Sequence, residues 1–297
     1  MKKLLGIFFF YIVLAVLLLP LMVTGLCGGF RRDLPQEAKI LYGTADLAPL
    51  PSELEEYVVG VVAAEMPAAF GEEALKAQAV AARTYQVRQM QAAGTEKVLY
   101  DVGQAYIDEG EQKAKWGENY SFYGSKIRKA VRETAGEIMV YEGEPILAAF
   151  HAQSAGRTED AEHVWAEAVP YLRSVDSSGD RDAPDHRTTV KFSEKGLKAK
   201  LGSADVKVLS RTDAGYVTEV QVGETTLSGG EVRQALGLRS TNFTIERKGD
   251  DILFTTLGYG HGAGMSQYGA GALAEQGKTY HEILRHYYTG IDFQLLE

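Results

Sequence analysis

The run LLGIFFFYIVLAVLLLPLMVTGL, Leu4 to Leu26, contains no charged side chain, and nothing else in the chain limits its folding as strongly. At about 1.5 Å of rise per helical residue it covers the roughly 30 Å hydrocarbon core of a bilayer. Lys2 and Lys3 precede it, and no clean small-x-small cleavage site follows. Residues 1–27 therefore read as an uncleaved N-terminal transmembrane anchor, with a cleaved signal as the lesser alternative. Arg31 and Arg32 nearly balance Lys2 and Lys3, so charge alone does not fix the orientation. A signal-anchor with the bulk of the chain outside the cytoplasm is the expectation. Cys27 is the only cysteine, and Leu26 before it is large for a lipidation site. A lone cysteine makes no internal disulfide, so the outer part must hold itself by its core.

Residues 28–51 lack apolar periodicity and carry Gly28, Gly29, Pro35, Pro49 and Pro51, which marks a linker. The rest of the 297-residue chain, 45% hydrophobic overall, is ample for a large domain. A net charge of −9 argues against a protein that coats nucleic acid. The expected fold is α+β: one extracytoplasmic domain over 52–297, with an antiparallel β insert or subdomain over 187–257.

Ser52 can cap a helix that Pro67 stops at about Met66. A second, alanine-rich helix follows in EEALKAQAVAARTYQVRQMQAA. Residues 94–123 read as an irregular excursion or lid, SKIRKAVRETAG as a helix closing on Gly136, and EIMVYEGEPILAAFH as a hairpin around EGEP. TTVKF, VKVLSR, YVTEVQV and FTIERKGDDILFTTL read as strands, interrupted by a small helix near SGGEVRQAL. The glycine-rich GYGHGAGMSQYGAGA should lead into a helix at about Met265. A last helix should bury Ile283, Leu284 and Tyr287.

Three places can carry chemistry. With Leu54 at zero on a wheel of about 100° per residue, Val58, Val61 and Val62 share one side and Glu65 falls about 20° from Leu54. A carboxyl among apolar neighbours keeps its proton more readily, as a general acid requires. A misphased wheel, or an end frayed outward near Pro67, is the competing reading. Four glycines, Gly258 to Gly264, surround His261 and would let backbone approach a ligand; no Lys-Ser/Thr pair follows, so this is no P-loop. FHAQSAGRTED, taken alone, is an ordinary polar loop. There is no HExxH and no G-x-S-x-G, and His281 and His286 do not share a helix face.

Together and in this order, EEYVVGVVAAEMP, ALKAQAVAARTY, FHAQSAGRTED…VW…VPYL and GYGHGAGMSQYGA resemble the stage II sporulation protein D family, which includes amidase enhancers. The resemblance covers about residues 52 to 292. It implies a peptidoglycan lytic transglycosylase of endospore engulfment, cutting between N-acetylmuramic acid and N-acetylglucosamine and leaving a 1,6-anhydro end. It implies glycan strands already stripped of peptide as substrate, with stage II sporulation proteins P, an amidase, and M as partners, in the space between the mother-cell and forespore membranes. The family's catalytic glutamate matches Glu65. A single acid/base fits an intramolecular attack, where hydrolytic glycosidases use two carboxylates. The resemblance also places His261, Ser266, Gln267 and Tyr268 around the substrate, together with Gln78, Arg83 and Tyr85 and with His151, Ser154 and Thr158. Gln78 and Tyr85 share a helix face, whereas Arg83 lies on another and can pair with a carboxylate. Some relatives are understood to bind zinc through cysteine and histidine in the FHAQSAGRTED loop. That loop has no cysteine here, and His151 with His163 is a thin site, so no cofactor or metal is expected. A non-catalytic glycan-binding enhancer of a cell-wall amidase is the chief rival, and a metal-dependent hydrolase a weaker one.

Overall fold

A computed structural model describes residues 47, 50, 52–100, 102–165 and 167–296. All lie in one of the chain's two compact units, Asp46–Glu297. The apolar run Leu4–Leu26, Cys27 and nearly all of the linker fall outside the described residues. Among the described residues no helix is long and apolar enough to cross a membrane. Leu50, at the end of the stretch read as linker, is buried in the main core, and its N–H donates to Glu56 Oε1 at 2.8 Å.

Helix α1, Glu53–Glu65, starts where Ser52 Oγ accepts the Glu55 N–H at 3.3 Å. Glu53, Glu55 and Glu56 in its first turn complement the helix dipole. It stops at Met66, whose extended backbone is what a following proline requires. Glu55 and every residue from Tyr57 to Ala63 are buried. A helix buried all round is a central one, and a wheel says little about it: Leu54, the zero of the wheel, is only half-buried.

Helix α2, Glu72–Ala92, is the axis of the main layer. It packs against α1, against α4 (Tyr120–Glu133), against β1 (Glu137–Tyr141), and against the C-terminal helices α8 (Gln267–Glu275) and α9 (Tyr280–Tyr287). Its run of buried alanines, Ala74, Ala77, Ala79, Ala81 and Ala82, allows that many close neighbours. Val58, Val61, Leu75, Val80, Ile127, Met139, Ile283, Leu284 and Tyr287 fill the core between them. The segment expected to be irregular, 94–123, contains helix α3, Glu109–Trp116, under a capping box of Asp108 and Glu111, and α4 begins at Tyr120 rather than Ser125.

The hairpin forms around Glu142 and Gly143, both at positive φ (54° and 85°), the geometry of a two-residue hairpin turn. Its second strand, β2, is only Glu144–Pro145. The chain then runs on to β3, Phe150–His151, which pairs in parallel with β10, Met265–Ser266. Strand β11, Asp292–Leu295, pairs with the other edge of β1. A short helix α5, Ala161–Trp165, follows β3.

Residues 187–257 carry their own core, with Leu197, Val220, Val232, Phe243 and Phe254 buried together. Two three-stranded antiparallel sheets build it. One orders β4 (Arg187–Ser193), β9 (Asp251–Leu257) and β8 (Phe243–Lys248); the other orders β5 (Val206–Arg211), β6 (Val217–Val222) and β7 (Thr225–Ser228). Helices α6 (Glu194–Leu201) and α7 (Gly229–Leu236) complete it. Strand β7 and helix α6 are additions to the sequence reading. The Gly258 N–H donates to the His186 carbonyl at 2.8 Å, so the chain enters and leaves this subdomain at one point.

Candidate active site

Glu65 is the last residue of α1 and as a residue is partly buried. Oε1 accepts the Ala105 N–H at 2.7 Å, and Oε2 faces Gln267 Nε2 at 3.5 Å. The same Gln267 nitrogen reaches Gln78 Oε1 at 3.4 Å. Side chains from α1, α2 and α8 thus meet at one carboxyl, 202 residues separating Glu65 from Gln267. Burial raises the Glu65 carboxyl above its ordinary range, against the opposing pull of the Ala105 N–H, Gln267 and the Lys115 charge. Lys115 itself donates to the Ala63 carbonyl at 2.8 Å, close to the C-terminal end of α1. Among the described residues, no carboxylate is one of the groups that act most on Glu65. Tyr268, next to Gln267, sets its ring edge-on to Phe70 at 5.1 Å. Tyr85 is half-buried on the α2 face that also carries Gln78.

The glycine loop makes a second group. The His151 and His261 rings lie 5.5 Å apart, with Trp165 of α5 5.1 Å from His261. Ala263 serves both imidazoles: its carbonyl faces His151 Nδ1 at 3.1 Å, and its N–H donates to His261 Nδ1 at 3.2 Å. That assigns the proton of His151 to Nδ1 and leaves Nδ1 of His261 as an acceptor. Burial pushes His151 down to about 4 and His261 to about 3, with the Arg233 charge adding to both and His151 adding to the shift of His261. Both are neutral at pH 7, fixed in tautomer and unable to serve as cations. The helix expected at Met265 starts two residues later, because Met265 and Ser266 are used in the pairing with β3.

Several residues that the resemblance placed at the substrate are absorbed by the fold. Arg83 is fully buried; its guanidinium forks onto Glu55, Nε to Oε1 at 2.8 Å and Nη2 to Oε2 at 2.6 Å, and Nη1 reaches the Glu137 carbonyl at 3.0 Å. Thr158 and Val175 tie two loop strands together, the Val175 N–H donating to Thr158 Oγ1 at 2.8 Å. Ser154 and Ser266, both fully buried, point their hydroxyls at Asp180, at 2.5 and 2.6 Å. Ser266 also caps α8 by accepting the Gly269 N–H.

Asp180 was not singled out from the sequence. It is fully buried and accepts from Ser154 N, Ser154 Oγ, Ser177 Oγ and Ser266 Oγ, which joins the polar loop to the glycine loop. Glu55, also missed, holds Arg83. Apart from Ser177, three residues before Asp180, the side chains that hold these two carboxylates lie 26 to 86 residues away, and no local spacing announces them.

The donor set offers little to a zinc ion of the kind attributed to relatives. Glu159, Asp160 and His163 do lie within 4.8 Å of one another. Yet His163 Nδ1 bonds Glu159 Oε1 at 2.9 Å, Thr212 Oγ1 donates to Glu159 Oε2 at 2.5 Å, and Asp160 Oδ1 accepts from Ser174 N and pairs with Arg173. No thiolate stands in the loop, and His151 is not a member of the group.

Comparison with known proteins bears on most of the chain. Stage II sporulation protein D of Bacillus subtilis (strain 168) is 43% identical over 263 residues, covering 84% of this chain and 77% of that protein. The chain belongs to the stage II sporulation protein D family. The protein of the same name from Bacillus amyloliquefaciens is 43% identical over 265 residues, 85% of this chain and 77% of that one. The family pattern described as "Stage II sporulation protein" matches residues 51–141, the span that holds Glu65, Gln78, Arg83 and Tyr85. The amidase enhancer of Bacillus subtilis is a more distant relative, 28% identical over 291 residues, 78% of this chain but 39% of that protein. A match over 84% of the chain necessarily takes in Glu65, His151 and Asp180.

Proposed function

We propose that this protein is a lytic transglycosylase that cuts peptide-stripped peptidoglycan strands in the sporulating cell, with Glu65 as its single general acid and base. The observation that carries this reading is the Glu65 carboxyl itself: raised by burial, held by Ala105 and Gln267, and, among the described residues, without a carboxylate partner. A neutral Glu65 gives its proton to the glycosidic oxygen as the bond to the anomeric carbon of N-acetylmuramic acid breaks. The C6 hydroxyl of the same sugar attacks that carbon, and the Glu65 carboxylate takes the hydroxyl proton. The acid is restored, the leaving N-acetylglucosamine keeps a free 4-hydroxyl, and the other end is 1,6-anhydro. No water enters, so no second carboxylate is needed.

The site is then expected outside the cytoplasm, held by the Leu4–Leu26 segment as an anchor, and working with stage II sporulation proteins P and M. The amidase-enhancer relative favours a second reading, a glycan-binding module that stimulates an amidase. One assay separates the two. Wild-type protein should release anhydro-ended fragments from peptide-free strands, and Glu65→Gln should lower the rate by about 10²–10⁴-fold while still binding the strands. Binding without any anhydro product from the wild type would leave the enhancer reading standing.

A further inference from the structure

Ala105 is separated from Glu65 by 40 residues, yet its N–H makes the shortest contact to the acid. The segment that brings it there is fastened on both sides. Gln104 Nε2 donates to the Ala82 carbonyl of α2 at 3.3 Å, and the Ile107 N–H donates to the Gly60 carbonyl of α1 at 3.3 Å. Between them Tyr106 stacks on Tyr57, the rings 7° from parallel with centroids 5.6 Å apart. Gly60 makes the approach possible: a Cβ there would lie 2.2 Å from Tyr106 Cε2 and 2.9 Å from the Ile107 carbonyl oxygen. A mid-helix glycine is unfavourable relative to alanine, and here it provides the room in which the segment docks.

We propose that residues 104–107 form a positioning clasp for Glu65, in which the Ala105 N–H fixes Oε1 as the acceptor oxygen and assigns the transferable proton to Oε2. A carboxyl oxygen that accepts a backbone N–H at 2.7 Å serves best as its carbonyl oxygen, so the hydroxyl proton resides on the other. Oε2, facing the longer Gln267 contact, is the atom left to meet a leaving group. The N–H also favours the carboxylate over the acid and so keeps burial from raising the carboxyl without limit. The other groups acting there are Lys115 on α3, Tyr57 on α1, Gln78 on α2 and Gln267 on α8. None of these side chains is substituted in the Ala105 and Gly60 variants below.

The kinetic consequence rests on the transglycosylase reading, but the clasp can be tested without it. Full-length protein carrying ¹³Cδ-labelled glutamate is titrated by NMR, the Glu65 signal being assigned by its loss in Glu65→Gln. Ala105→Pro removes the N–H and should raise the Glu65 midpoint by about one to two pH units, the size expected for losing one hydrogen bond to a charged group. Ala105→Ser keeps the N–H and should titrate with the wild type. Gly60→Ala deletes no donor but pushes Tyr106 and Ile107 off α1 and with them the Ala105 N–H off Oε1, and should move the midpoint in the same direction as Ala105→Pro, which guards against a proline that merely misfolds the loop. In the product assay the limb set by Glu65 should move with the NMR midpoint. Unchanged midpoints in Ala105→Pro and Gly60→Ala overturn the clasp. A wild type that makes no anhydro product overturns the enzyme reading instead, and the titration still decides the clasp.

Discussion

Burial favours the neutral form of Glu65 in the folded protein but not in the unfolded chain, where water surrounds the carboxyl. A folded-state value raised above the ordinary 4.5 gives stability that is fully present below 4.5. It is lost as pH rises through the raised value, above which the fold must house a carboxylate in a poorly solvated place. Glutamine has nearly the same shape, keeps an oxygen for the Ala105 N–H and does not titrate. Glu65→Gln should therefore melt about 2–4 °C above the wild type at pH 7.5 for each ~1 kcal/mol recovered, and level with it at pH 4. Thermal denaturation at the two pH values checks this. A variant that melts lower at pH 7.5 would mean that Lys115 and Ala105 outweigh burial. Arg83 shows the other side of reading single residues. The resemblance sets it at the substrate, while the helix wheel sets it off the Gln78–Tyr85 face. In the fold its guanidinium is enclosed against Glu55, a buried pair whose loss of one partner typically costs about 3–5 kcal/mol.

The glycine loop acts as an element because its conformation, not only its side chains, is specified. Gly264 sits at φ +72°, and a Cβ there would lie 2.0 Å from the Ala149 carbonyl oxygen, the acceptor for the Met265 N–H that starts the β3–β10 pairing. Gly277, after α8, has φ +82° but nothing within 4 Å. Gly264→Ala should cost about 2–5 kcal/mol, from the left-handed backbone and the clash together, and Gly277→Ala only about 1–2 kcal/mol. Urea denaturation midpoints separate the two, and equal losses would show that the close approach to Ala149 is unimportant. At this scale much was legible. Ser52 and Pro67 bound α1, and the runs VKVLSR and DILFTTL form the strands β5 and β9. Helix α3 was missed because EGEQKAKW is polar all round; its signal was the D-x-x-E capping box at Asp108 and Glu111. The second hairpin strand was drawn too long because the partner of Phe150–His151 is Met265–Ser266, more than a hundred residues on, and no local pattern announces it. Asp180 was illegible for the same reason: its hydroxyl partners reach across as many as 86 residues.

The subdomain over 187–257 has its own core, yet it also reaches the loops beside the site. The Tyr216 hydroxyl accepts the Ala155 N–H and donates to the Arg157 carbonyl, both at 3.2 Å, and its ring lies where a Cβ on Gly262 would have to go. Thr212 Oγ1 donates to Glu159, and the Gly260 N–H donates to the Arg239 carbonyl. One phenol thus spans the polar loop and the glycine loop from outside both. Tyr216→Phe keeps the ring packed and removes only the two hydrogen bonds. Leaving such partners unpaired costs about 1–3 kcal/mol, which should be paid locally, since Phe243, Ile252 and Phe254 form a core separate from that of α1 and α2. The Ala155 amide should then exchange with solvent about one to two orders of magnitude faster than in the wild type, by that same energy. Amides of β8 and β9 should keep their rates. Native-state hydrogen exchange measures both sets in one experiment. If Phe254 speeds up as much as Ala155, the subdomain and the site open as one cooperative unit, and Tyr216 is a part of that unit rather than a brace between two.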